Sequence, residues 1–112
     1  MESTPRLKAG IFVRALIRRA QVAGASAFVL RSGAEEAGAI IIRVSRLDGT
    51  TLVLNQARDG RGAPVWAQPL GGWTADARAT EWCARQVGFD PDLWIVEIED
   101  REGRAFVDEP IV

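Results

Sequence analysis

Apolar and polar residues alternate most regularly between Leu93 and Asp100. In an extended chain Trp94, Val96 and Ile98 fall on one side, and Leu93, Ile95, Glu97 and Glu99 on the other. A period of two, carried by β-branched and aromatic residues, predicts a strand whose Trp94 side lies on the core. The opposite side begins apolar and ends acidic, so cover is lost near Glu97. Asp90-Pro91-Asp92 just before it is turn chemistry: proline fixes its own φ, and aspartate side chains accept from nearby amides. After it, Arg101-Glu102-Gly103-Arg104 predicts a turn, with Ala105-Phe106-Val107 returning as the second strand of a terminal hairpin.

The same pattern divides the rest of the chain. From Leu7 to Ala23 apolar residues cover most of a helical wheel, leaving Arg14, Arg18 and Gln21 as a narrow polar stripe. This predicts a largely buried helix, ended by Gly24 at positive φ. Gly10 weakens its start, and a short strand over Lys8 to Phe12 is the alternative. Arg19 falls inside the apolar arc, where a guanidinium needs a partner. Strands are predicted over Ala25 to Arg31, over Gly38 to Val44 and over Thr51 to Leu54. Asp48-Gly49 joins the last two as a hairpin. Ile40-Ile41-Ile42 suits a strand covered on both faces. Val65 to Ala67, bracketed by Pro64 and Pro69, predicts a short edge strand. A second helix follows Trp73, with Thr74 as N-cap, Ala75, Ala79, Trp82, Cys83 and Val87 as its apolar face, and Gly88 beyond its end.

Strands joined mostly by tight turns imply an α+β fold: one layer of mostly antiparallel sheet, about five to six strands, with two helices packed on one face. The 112 residues make a single domain. Residues 1–6 are expected to form an N-terminal tail, 57–64 a flexible loop and 109–112 a C-terminal tail.

Composition narrows the chemistry more than the fold. The chain has no histidine and no tyrosine, so the commonest neutral-pH acid/base and metal ligand is missing. A formal net charge of −1 gives no long-range attraction to nucleic acid or to anionic lipid. The single cysteine, Cys83, fits a reducing compartment, and the N-terminus lacks the pattern of a secretory signal. No stretch approaches the roughly 18 apolar residues that span a bilayer. A cytoplasmic protein without membrane contact is expected.

The run Phe89-Asp90-Pro91-Asp92-Leu93-Trp94-Ile95-Val96-Glu97-Ile98-Glu99-Asp100 resembles the signature of a bacterial family known as domain of unknown function 1491. So do Leu7-Lys8-Ala9-Gly10-Ile11-Phe12-Val13 with Arg18-Arg19, and Ala37-Gly38-Ala39-Ile40 followed by Arg46-Leu47-Asp48-Gly49. The likeness runs from about Arg6 to Asp108. It implies a short stand-alone alpha-proteobacterial protein, and no established activity, cofactor or catalytic residue.

Candidate chemistry is sparse. Glu97 and Glu99 point the same way and could hold a hard divalent cation; an acidic strand face with arginine partners is the better explanation. Arg19, or Arg18 beside it, is expected to reach one of them across the seam between helix and sheet, making Arg19→Ala far more destabilising than Arg14→Ala. Asp90 and Asp92 are explained by their turn without catalysis. Cys83, on an apolar helix face with no histidine to activate it, reads as a buried thiol. Arg43, Arg46, Arg58 and Arg61 with Trp66 could stack on single-stranded nucleic acid, against the near-neutral charge. Trp66 and Trp73 are the tryptophans expected to be partly exposed and to anchor a protein partner. No cofactor is expected and no catalytic residue is assigned. The sequence points to a non-enzymatic protein-interaction module, self-associating through an unpaired edge near Val65 to Ala67 or Ala105 to Val107. A weak nucleic-acid binder and a small enzyme with a carboxylate-lined site are the alternatives.

Overall fold

A computed structural model describes residues 7–112; the expected tail at residues 1–6 lies outside them. Helix α1 spans Ala9–Val22. It is followed by β1 (Ser26–Arg31), β2 (Ile40–Ser45), β3 (Thr50–Arg58), β4 (Pro64–Ala67), β5 (Trp73–Ala75), α2 (Asp76–Phe89) and β6 (Trp94–Glu99). The six strands form one sheet in the order β1-β6-β2-β3-β4, with β5 also on β3. All pairs are antiparallel except β2 with β6. The fold is therefore α+β with a mostly antiparallel sheet.

The strand predicted from the strongest alternation lies second in the sheet, between β1 and β2. Trp94, Val96 and Ile98 are 6%, 0% and 0% exposed. With a neighbour on each edge, β6 has no place for a returning strand. The expected hairpin therefore does not form. The Asp100 carboxylate accepts from the Arg104 backbone at 2.9 Å and from its Nε at 2.8 Å, which turns the chain away from the sheet. Ala105 is buried in the α1-side core, and the chain continues to β4.

The two helices lie on opposite faces, not on one. Val13, Leu16 and Ala20 of α1 pack with Ile40, Ile42, Val44, Val96 and Ile98. Ala79 and Cys83 of α2 pack with Ile41, Val53, Leu93 and Ile95. The cause is visible in β2, where Ile40, Ile41 and Ile42 are all buried: apolar residues of both parities require cover on both sides.

Local chemistry sets the ends of the elements. Helix α1 begins at Ala9 without a side-chain cap, and among the described residues no strand precedes it. Its first amides are satisfied from outside: Ala9 N–H donates to Glu36 O at 3.2 Å and Gly10 N–H to Glu35 O at 2.9 Å. The end of the Glu35 side chain lies directly against Gly10. Gly24 takes φ +90, as expected for a helix end. Before α2, Trp73–Ala75 forms β5 instead of leading straight into the helix, and Ala75 stands at the cap position where Thr74 was expected. Gly88 lies inside α2, which runs on to Phe89. Strand β3 is longer than predicted: Ala57 and Arg58 belong to it and Pro64 belongs to β4, leaving a tight connection in which Asp59 Oδ1 accepts from Arg61 and Ala63 amides.

The family-like run at residues 89–94 has a packing explanation. Asp90 Oδ1 accepts from the Asp92 amide at 3.0 Å. The Asp92 carbonyl accepts from Ala34 at 2.9 Å, and Trp94 donates its indole N–H to Ala34 O at 2.7 Å. A β-carbon at Gly33 or Gly38 would collide with the Asp92 carbonyl. The segment between β1 and β2 thus clasps the turn that starts β6, and its glycines let the two backbones meet.

Candidate interaction surface

The two long edges of the sheet are treated differently. At the β4 edge, Trp66 N–H donates to Pro110 O at 2.8 Å and Val112 N–H to Trp66 O at 2.9 Å. Ile111 bridges Trp66 in parallel, and the Trp66 indole donates to Glu109 at 3.0 Å. The stretch at 109–112 thus pairs with the edge proposed from sequence for self-association. At the other edge, β1 pairs with β6 alone. It presents Phe28, Val29 and Leu30 at 40%, 38% and 47% exposure.

Strand β1 carries its side chains in two rows. Ala27 and Val29 sit opposite Ile98 and Val96, on the α1 face. Ser26, Phe28 and Arg31 sit opposite Glu99, Glu97 and Ile95, on the α2 face. A bulge between Val29 and Arg31 takes Leu30 out of the alternation and turns Arg31 onto the same face as Phe28. Helix α2 packs over β3 and β5, so the β1 end of that face is lined by polar and half-covered residues.

One strand inward, Glu97 meets Arg43 across the parallel β2–β6 pair. Arg43 Nε lies 3.3 Å from Glu97 Oε1, with the two side chains 12% and 15% exposed; the approach is not aligned as a hydrogen bond. Burial pushes the Glu97 carboxyl up, Arg43 opposes the shift, and Glu99 and Asp76 add to it. In the next row Glu99 stands between Ser26 of β1 and Ser45 of β2. Among the described residues it has no cationic partner within 4.0 Å. Thr51, beside Ser45, donates to Asp76 at 2.6 Å.

The sequence-derived candidates are scattered by this arrangement. Glu97 and Glu99 share a face, yet the first is engaged by Arg43. No group of three or more potential metal-ligating side chains occurs among the described residues. Arg18 and Arg19 lie on the opposite face and reach neither glutamate. Arg19 approaches Asp108 at 3.7 Å at the surface, and with Ala15, Val22 and Phe106 the two arginines line a shallow apolar hollow. Asp90 and Asp92 serve the clasped turn. Trp66 is 3% exposed, contrary to expectation. Trp73 is partly buried under the Arg46 guanidinium, 3.8 Å from its ring. With Trp66 buried and Arg43 tied to Glu97, the arginine–tryptophan platform read from sequence does not assemble. Cys83 is buried, and burial pushes its thiol up.

Sequence reasoning identified β1 as a strand and missed that it is an edge. Ala27-Phe28-Val29-Leu30 reads as a short β-prone strand with no mark of its place in the sheet, and only the insertion of β6 beside it shows which side stays bare.

Known proteins agree on the fold and name no activity. The family described as protein of unknown function (DUF1491) matches residues 7–108. A crystal structure of a DUF1491 family protein from Caulobacter crescentus CB15 is 42% identical, with a TM-score of 0.89, covering 96% of this chain and 100% of that one. A solution structure of protein Atu0922 from A. tumefaciens is 34% identical, with a TM-score of 0.78, covering 94% and 95%. None of the curated proteins matches the chain.

Proposed function

The chain belongs to the DUF1491 family, and from that premise we propose that it is a non-enzymatic interaction module that takes an extended polypeptide segment onto the free edge of β1. The carrying observation is the contrast between the edges. Unpaired strands template further pairing, and proteins blunt them with charge, proline or a covering segment. Here the β4 edge is covered by residues 109–112, while β1 offers three consecutive large apolar side chains to solvent. Strand addition uses such an edge: main-chain hydrogen bonds supply affinity, and alternate side chains supply selectivity. A cytoplasmic setting accords with the single unpaired cysteine. Among the described residues no helix is long and apolar enough to cross a membrane.

A photoreactive phenylalanine analogue placed at position 28, and separately at the exposed position 78 on α2, tests this in the native cell. Covalent adducts with protein are expected at 28 alone, and they should vanish when Leu30→Lys is added. Equal labelling at both positions, or none at 28, overturns the reading.

A further inference from the structure

We infer that the segment β1 accepts is β1 of a second copy, paired antiparallel about a two-fold axis through Phe28. The inference rests on the reading of β1 given above and names its partner. The register carries it. Five residues of β1 occupy sheet positions opposite β6: Ser26, Ala27, Phe28, Val29 and Arg31. An antiparallel two-fold pair within one continuous sheet keeps each face on its own side, so residues that oppose each other must share a face. Centring on Phe28, the middle of the five, satisfies this at every position: Phe28 meets Phe28, Ala27 meets Val29, and Ser26 meets Arg31. Any other centre leaves an end of the strand unpaired.

The same register is complementary in charge. Arg31 of one copy comes opposite Ser26 of the other, and immediately inside Ser26 stands Glu99, which has no cationic partner among the described residues. Two strand spacings, roughly 9–10 Å, separate an arginine on the added strand from Glu99. That is within the combined reach of the two side chains, and serine between them is too small to intervene. Within one copy the Arg31 head donates to Pro91 O at 2.9 Å, while its buried Nε has no partner. The symmetry supplies the contact twice. It also places the two phenyl rings together at the centre, where their exposed faces are removed from water.

Cys83 is buried, so a Phe28→Cys variant carries one accessible thiol. Directly opposed strand residues have β-carbons about 4.5–5.5 Å apart, close to what a disulfide requires. Mild oxidation of purified Phe28→Cys is expected to give a disulfide dimer at least about tenfold faster than Leu47→Cys, whose site at the β2–β3 turn is comparably exposed. Sedimentation equilibrium of the unmodified chain should show a concentration-dependent dimer. Glu99→Arg and Arg31→Glu should each weaken it by about tenfold, and the two together should restore it; far-UV circular dichroism checks that each variant folds. Oxidation at equal rates, or a chain monomeric throughout, overturns self-pairing. If labelling at position 28 in the cell then joins the chain only to a different protein, the strand-addition reading stands without it; if that labelling also fails, both fall.

Discussion

At the scale of single residues, the Arg43–Glu97 pair is the least economical choice in the sheet. Each side chain loses most of its hydration, and their approach is not a well-aligned hydrogen bond. Such pairs are costly to break from one side and cheap to replace as a unit. Arg43→Leu alone is expected to lower unfolding stability by about 2–3 kcal/mol by stranding Glu97, and Glu97→Leu by a similar amount. The double variant should recover at least most of that loss. Chemical denaturation of the four proteins gives the coupling energy, and additive losses would refute this account. The pair was half legible in the sequence: Glu97 stood out on an alternating strand, whereas its partner was sought on α1. Parallel pairing of two strands distant in the chain leaves no local mark, so Arg43 could not be singled out. The expectation that Arg19→Ala harms more than Arg14→Ala loses its basis for the same reason. Arg14 holds Glu35 at 2.6 Å, linking α1 to the clasp, while among the described residues Arg19 meets an exposed Asp108 alone.

At the scale of elements, what the sequence showed plainly was whatever local periodicity or turn chemistry decides. The Asp48-Gly49 hairpin, the alternation of β6 and the apolar stripe of α2 from Ala79 to Val87 stand where they were expected; Ala75, also assigned to that stripe, is exposed in β5. Hidden from it were the choices made by packing between distant segments. Ala105 to Val107 has strand-forming residues and no strand to join. The helices separate onto two faces because β2 and β6 are apolar on both, a signal present at Ile40-Ile41-Ile42 and at Leu93 and Ile95 but not carried through to the layer order. Glycines divide along the same line. Gly33 is held against the Asp92 carbonyl, whereas nothing lies within 4 Å of a β-carbon at Gly88, in the last turn of α2 without positive φ. Gly33→Ala should cost about 2–4 kcal/mol, since backbone must shift to admit the methyl. Gly88→Ala should gain up to about 0.5 kcal/mol from helix propensity, less than the interior value because it lies in the last turn. Thermal melts that move in the same direction for both would contradict the clasp.

At the scale of the whole molecule, stability against acid should be shaped by two carboxyl groups shifted in opposite directions. Hydrogen bonds from Arg104 hold Asp100 down, from its ordinary 3.8 to about 2. A carboxyl lowered in the folded state contributes stability above its unfolded value, and that contribution is lost as pH falls toward the folded value. Glu97, raised by burial, acts the other way: its charge weighs on the fold at neutral pH and is relieved on acidification. Wild type and Asp100→Asn should therefore differ by about 1 kcal/mol above pH 4, after allowing for the solvent around Arg104. They should converge near pH 2. Thermal midpoints recorded from pH 2 to pH 7 check the shape, and a gap that widens below pH 4 would reverse the assignment.

The position of β6 bears on how the protein comes to be made. Its slot, between β1 and β2, is filled by the last of the six described strands to leave the ribosome. Until then the nascent chain holds a helix-backed β1 on one side and the β2–β3 hairpin on the other, each with a sticky seam and nothing to join them. Closing the sheet is thus a keystone event, delayed until β6 itself has been made and both seams can be joined at once.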